Sequence, residues 1–238
     1  MRLFAGTSGF SYTEWRGGFY PERLPESQML ASYSSRLPTV ELNNTFYRMP
    51  RAELVDSWSQ RAPDGFTFAP KAPRRITHSQ KLEGSEHETR QFLETVGRFG
   101  SKLGPLLFQL PPIMKKDLGR LMSFLQLLPA GTRAAFEFRH ASWFEDDVYA
   151  ALADHGVALC AAEVDPGDGS GAPLLSTARF AYVRLRKSEY DSSALGTFLA
   201  KLRDLAVDEA FVYFKHEVLG PSYALELSAL ARQSTVGQ

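Results

Sequence analysis

Hydrophobic and polar residues alternate along this chain in two rhythms. Short runs with a period of two recur: "RLFAGTS", "TVELNN", "GFTFAPKA", "GPLLFQLP", "RAAFEFRH", "GVALCAAEV", "FAYVRLR" and "AFVYFKHE". Their β-branched and aromatic content, and the Gly, Pro and Asn at their ends, predict eight strands. Between most of them the period lengthens to that of a helix. It is clear in "SEHETRQFLETVGRFGSKL", "KDLGRLMSFLQLL", "EDDVYAALADH" and "SALGTFLAKLRDLA", and weaker in "ESQMLASYSSRL", "AELVDSWSQRA" and "SYALELSALARQ".

Strands that alternate with helices imply parallel crossovers. Eight such units in 238 residues fit an α/β fold, a single (β/α)8 TIM-type barrel over 1–238, better than an open sheet. Two segments strain the pattern. "DPGDGSGAPLLSTAR", between strands six and seven, is too rich in Gly and Pro for a helix, so the barrel is expected to be irregular there. "GFSYTEWRGGFYPERLP", after strand one, is a long loop carrying five aromatics, and loops of that length are usually functional or disordered.

In a barrel, alternate residues point inward. On strand two this puts Glu41 and Asn43 inside. The same parity turns Lys71, Gln109, Glu137, Arg139, Glu163, Tyr182, Arg184, Arg186, Tyr213 and Lys215 inward, with the polar members late in their strands. Earlier inward positions are small or apolar: Thr67, Ala69, Leu107, Ala135 and Ala161. Packed below and charged above is what the active-site end of such a barrel requires. Three acids (Glu41, Glu137, Glu163) against five bases leave a positive surplus suited to an anion. A structural salt-bridge network capping the barrel is the blander explanation, although apolar residues would stabilise a core more cheaply.

Composition narrows the field. Hydrophobic residues make up 44% of the chain, enough for a large core, and 27 basic residues balance 27 acidic ones. No global charge draws the chain to nucleic acid or anionic membranes, although a local patch can. Cys160 sits in an apolar run and is expected to be a core thiol. "MRLFAGTSGF" lacks the apolar stretch of a secretion signal and no 18-residue apolar run exists, so a cytoplasmic protein with no membrane partner is expected. Nothing in the sequence specifies an oligomeric state.

At these same residues the chain resembles the YecE-like family, also called domain of unknown function 72. The segments that carry the likeness are "GTSGFSYTEWRGGFYP", "TVELNNTFYRMP", "FTFAPKAPRRITH", "LGPLLFQLPP" and "FEFRHASWF", in order over about the first 145 residues. The resemblance implies a TIM-barrel-like fold and supplies no reaction. Ser8, Tyr12, Trp15, Glu41, Asn43, Phe46, Tyr47, Lys71, Thr77, His78, Gln109, Pro111, Glu137, Arg139, His140 and Trp143 match its pattern. The last third departs: Arg186 and Lys187 stand where the family's strand seven commonly carries His-Gly, and "FKHE" replaces Phe-Asn-Asn on strand eight.

Acid–base chemistry needs carboxylates of unlike protonation or a His within reach, which makes Glu41, Glu137 and His78 the catalytic candidates. Salt bridging to the arginines is the alternative for both glutamates. Arg139, Arg184 and Arg186 suit carboxylate or phosphate. Lys71 and Lys215 add point charges, with a Schiff-base amine as a second option for Lys71. Asn43, Gln109 and His140 complete the polar binding set. Tyr12, Trp15, Tyr47 and Trp143, in loops at the same end, either stack on a ligand or pack the loops.

No two of the five His form a close metal-ligand pair, and "GTSG" is too short for a nucleotide-cofactor loop. The cofactor is thus unknown; His140, His216 and the inward glutamates leave a divalent metal as an option that no spacing indicates. The expectation is an enzyme of hydrolase, lyase or isomerase type acting on a small anionic ligand, phosphorylated or carboxylated and sugar-like. The alternatives are nucleic-acid binding or processing (endonuclease-like), motivated by "KAPRRITH" and "RLRK", and non-catalytic metabolite binding.

Overall fold

The structure is a computed structural model that describes residues 1–165 and 171–233. Eight strands form one sheet: β1 (Arg2–Ser8), β2 (Thr39–Leu42), β3 (Thr67–Pro70), β4 (Leu106–Gln109), β5 (Ala134–Glu137), β6 (Ala158–Glu163), β7 (Phe180–Leu185) and β8 (Glu209–Phe214). All neighbours are parallel, in the order β3-β2-β1-β8-β7-β6-β5-β4. The ends of that order meet through single bridges, Phe68 with Leu103 and Lys71 with Leu107, so the barrel is nearly closed. Among the described residues, α1 (Glu26–Ser34), α2 (Asn44–Tyr47), α3 (Ala52–Arg61), α4 (Glu86–Gly97), α5 (Leu118–Leu125), α6 (Asp146–Asp154), α7 (Ser192–Arg203) and α8 (Gly220–Gln233) surround it.

The expected helices all form, shorter at most ends. Elements not expected include the single turn α2, a π-helical turn at Arg75–Ser79 and short 3-10 turns at Thr13–Trp15 and Ala141–Trp143. No helix joins β6 to β7 among the described residues; instead Ala172 pairs back onto Ala162. Residues 166–170 of that expected loop lie outside the described residues. Strand two ends at Leu42, two residues earlier than its alternation suggests, because Asn43 takes helical dihedrals and opens α2.

The inward face is layered. At the bottom Phe4 stacks on Phe211, centroids 4.7 Å apart, with Phe180 edge-on to Phe211. One layer up, Tyr182 and Tyr213 lie 5.1 Å apart. Each ring packs on the apolar layer while its hydroxyl finds a partner, as a buried phenol must: Tyr213 with Thr39 Oγ1 at 2.9 Å and Tyr182 with Glu41 Oε2 at 2.8 Å. The charged layer follows. Strand six corrects the inward set. Ala158 and Cys160 pack inside with Tyr182, which puts Ala161 and Glu163 on the other parity. Glu163 pairs instead with Lys187 at 2.7 Å. A run of Ala, Leu and Cys carries no polar contrast from which to read parity.

Close approach of β1 and β2 depends on Gly6, opposite Thr39 in the ladder. A Cβ there would stand 2.1 Å from Thr39 O. Gly6→Ala should therefore destabilise the protein by about 3 kcal/mol or more. Gly196→Ala, in the middle of α7 with nothing within 4 Å of its Cβ, should gain about 1 kcal/mol. Urea unfolding of both variants checks the contrast.

Candidate functional site

The charged layer is built around one side chain. Arg184, on β7, is 2% exposed, and the two carboxylates it joins, Glu41 and Glu137, are 0% exposed. Its Nη2 donates to Glu41 Oε1 at 2.9 Å and its Nη1 to Glu137 Oε2 at 2.5 Å. Nη1 also reaches Gln109 Oε1 and Nη2 reaches Ser8 Oγ, both at 3.3 Å. Burying these ions separately would cost several kcal/mol each; paired and hydrogen-bonded, they are tolerated.

Strand register puts the partners in reach. Ser8 lies beside Glu41 across β1 and β2, and Gln109 beside Glu137 across β4 and β5. Ser8 Oγ donates to Glu41 Oε1 in a short bond and accepts from Asn43 Nδ2 at 2.6 Å. Asn43 thus reaches the site from the start of α2 rather than from the strand. Sequence reasoning counted Ser8 only as a family match, and noted Tyr182 as inward without giving it a role. Period-two alternation from Phe4 does put Ser8 inside, but a lone Ser carries no charge to mark it.

The cations outnumber the acids. Gln109 Oε1 accepts from Lys71 Nζ at 2.8 Å and Arg139 Nη2 at 3.4 Å, besides Arg184. Arg139 Nε donates to Glu137 Oε1 at 3.0 Å, and Arg186 Nη1 lies 3.9 Å from that oxygen. Arg186 therefore joins the cluster, whereas its neighbour Lys187 turns away to Glu163. Lys215 sits just past β8 and is exposed. Burial pushes the Glu137 carboxyl up, but Arg184, then Arg139 and Arg186, outweigh it and hold it at about 2.

Lys71 is fixed at the end of β3, its carbonyl accepting from Thr45 Oγ1 at 2.7 Å. Its ammonium stands 4.1 Å over the Phe46 ring. Burial first, then Arg184, bring it down to about 8. The other edge of this corner is His78, packed against Phe46 with centroids 4.9 Å apart. Its Nδ1 is held by Thr77 Oγ1 at 2.9 Å. Burial, then Lys71 and Arg74, lower it to about 4, so the imidazole is neutral at pH 7.

The remaining candidates divide. Tyr12 donates to Ser8 O at 2.7 Å and lies half-buried beside the cluster. Trp15 and Trp143 are fully packed and offer no ring face to a ligand. Trp15 Nε1 donates to Glu217 O at 2.7 Å, while Trp143 stacks on Phe138 at 4.5 Å and donates to Met114 O. His140 caps the turn after β5 by accepting from Ser142 N at 3.2 Å. His216 accepts from Leu219 N and contacts Ser188 O. Neither His joins the charged cluster. Tyr47 is 77% exposed, with only Phe46 against its ring. Among the described residues no group of three or more His, Cys, Asp or Glu is placed to hold a metal ion. No helix among them is long and apolar enough to cross a membrane.

This arrangement lies in a chain with clear relatives. Over 116 residues, 48% of this chain and 43% of the relative, it is 30% identical to the UPF0759 protein YecE of Escherichia coli K12. Over 155 residues it is 29% identical to the UPF0759 protein YunF of Bacillus subtilis 168, covering 62% of this chain and 54% of the relative. The matched stretches thus span about half the length of these relatives. The crystal structure of a DUF72 family protein from Thermotoga maritima MSB8 superposes with a TM-score of 0.86 at 26% identity, covering 98% of this chain and all of that one. The profile of the family described as "Protein of unknown function DUF72" matches residues 4–237. The chain belongs to that family.

Proposed function

We propose that this protein is an enzyme acting on a small anionic substrate, phosphorylated or carboxylated and sugar-like, held at the mouth of the barrel. The observation that carries the reading is the excess of cations there: Lys71, Arg139, Arg184 and Arg186 surround only two carboxylates, Glu41 and Glu137. The side chains of Arg139 and Arg186 are only partly buried, so they are the groups that meet the anion. A planar fork matches carboxylate or phosphate.

The three catalytic candidates then take different parts. Glu137, held deprotonated by three arginines, and Glu41, engaged at both oxygens, serve to position Arg184. His78, neutral and open at Nε2, is the proton carrier, with Lys71 beside it. Hydrolase, lyase and isomerase chemistry all use such a pair.

A second reading has its own observation. Exposed Tyr47 lines a cleft of about 430 Å³ with Arg48, Arg74 and Arg75, a combination that suits a stacked base and its phosphate.

Four outcomes test these readings. Thermal-shift titration with sugar phosphates and sugar acids should show stabilisation, and Arg139→Ala should weaken it by about tenfold or more. Short DNA or RNA oligomers that bind instead, steeply weakened by salt, would favour the second reading. Lys71 loses its charge as pH rises through about 8, so anion affinity should fall between pH 7 and 9, which calorimetry at fixed ionic strength measures. Arg184→Ala leaves Glu41 and Glu137 buried without their cation. It should lower stability by about 3–5 kcal/mol, read by urea unfolding.

A further inference from the structure

Lys71 differs from the other tethered lysines. Lys116 and Lys187 pair with carboxylates, and Lys102 donates to two backbone carbonyls. Lys71 has only the amide oxygen of Gln109 and the face of Phe46, and no carboxylate pairs with it among the described residues. Its backbone is pinned on both sides. Lys71 N donates to Leu42 O at 3.1 Å and its carbonyl accepts from Thr45. A buried amine that lacks a counter-ion and is crowded by other cations is set up as a nucleophile rather than as a salt-bridge partner.

We infer that Lys71 attacks the carbonyl carbon of a small oxo acid or phosphorylated sugar at the mouth and forms an imine with it. This deepens, and rests on, the anionic-substrate reading above. In the step a C–N bond forms at Lys71 Nζ and the carbonyl C–O bond breaks. Two of the three ammonium protons leave with that oxygen as water, and the third stays on an iminium that keeps the positive charge. The surroundings already accommodate that charge: the Phe46 face and Gln109 Oε1 stabilise a cation at this nitrogen before and after the reaction.

The geometry also selects the substrate. Lys71 Nζ and Arg139 Nη2 touch the same Gln109 oxygen, at 2.8 and 3.4 Å, so they stand about 6 Å apart or less. A carboxylate or phosphate held by Arg139 therefore presents a carbonyl one to three bonds away to the amine. His78 packs edge-on to Phe46, the ring that Lys71 Nζ stands over, and is the group placed to exchange protons with the attached carbon chain. With Lys71 brought down to about 8, roughly a quarter of it is free amine at about pH 7.5, against roughly a thousandth for an ordinary lysine.

Reductive trapping tests this. The protein is incubated at about pH 7.5 with glyoxylate, or separately with glyceraldehyde 3-phosphate, together with sodium cyanoborohydride, and adducts are located by peptide mass mapping. A single adduct on Lys71 is expected, formed about tenfold or more faster than on exposed Lys115 or Lys201. It should disappear in Lys71→Arg, which retains the charge and whose folding a melt verifies, and slow in Arg139→Ala. Labelling confined to surface lysines would overturn the inference. Glycolate and glycerol 3-phosphate, which lack the carbonyl, separate the two levels of the argument. If they stabilise the protein while Lys71 stays unmodified, the imine alone fails; if neither binds and no Lys71 adduct forms, the anionic-substrate reading falls with it.

Discussion

A buried guanidinium needs acceptors, and the neighbourhood of Arg184 supplies them to both Nη groups, while its Nε finds none among the described residues. Glu41 and Glu137 approach it from strands on opposite flanks, and Ser8 and Gln109 supply neutral oxygens at its edges. In return it makes two fully buried carboxylates tolerable. None of the three would be stable at this depth without the others. Because the partners stand at the last residue of β1, β4 and β5 and at the last but one of β2, the charge network ties together the ends of those four strands.

Beneath it, polarity rises in steps along the barrel axis, from phenyl rings through phenols to ions. The tyrosines are the hinge of this gradient: Tyr182 belongs to the apolar plug by its ring and to the acidic pair by its hydroxyl. Above it, the unbalanced cations face the loops. The two residues where this chain leaves the family pattern on strand seven have different fates. Arg186 adds charge to the cluster, whereas Lys187 pairs with Glu163 at the end of β6.

How much of this was legible depends on contrast between neighbouring positions. In "FEFR" and "VRLR" a charge follows a large apolar residue, and parity could be read without error. Strand six has Ala on both faces, which leaves its inward side illegible from alternation. Ser8 was overlooked as a working part because a small hydroxyl fits either face. Asn43 was assigned to the right place for the wrong reason, since alternation cannot foresee a strand that turns into a helix. The two tryptophans show a different limit. A ring in a loop looks available until its indole partner is known, and for Trp15 that partner is 202 residues away. Residue roles in catalysis depend on protonation, which burial and neighbours set; spacing alone did not contain that information.

The bond from Trp15 to the carbonyl of Glu217 joins the first loop to the segment after the last strand, and Arg184 enters 143 residues after Glu41. On a ribosome, then, Glu41 and Glu137 both emerge before the cation that neutralises them. The mouth cannot be assembled piece by piece as the polypeptide lengthens; it is completed only when the carboxyl-terminal strands arrive, in one late and concerted closure.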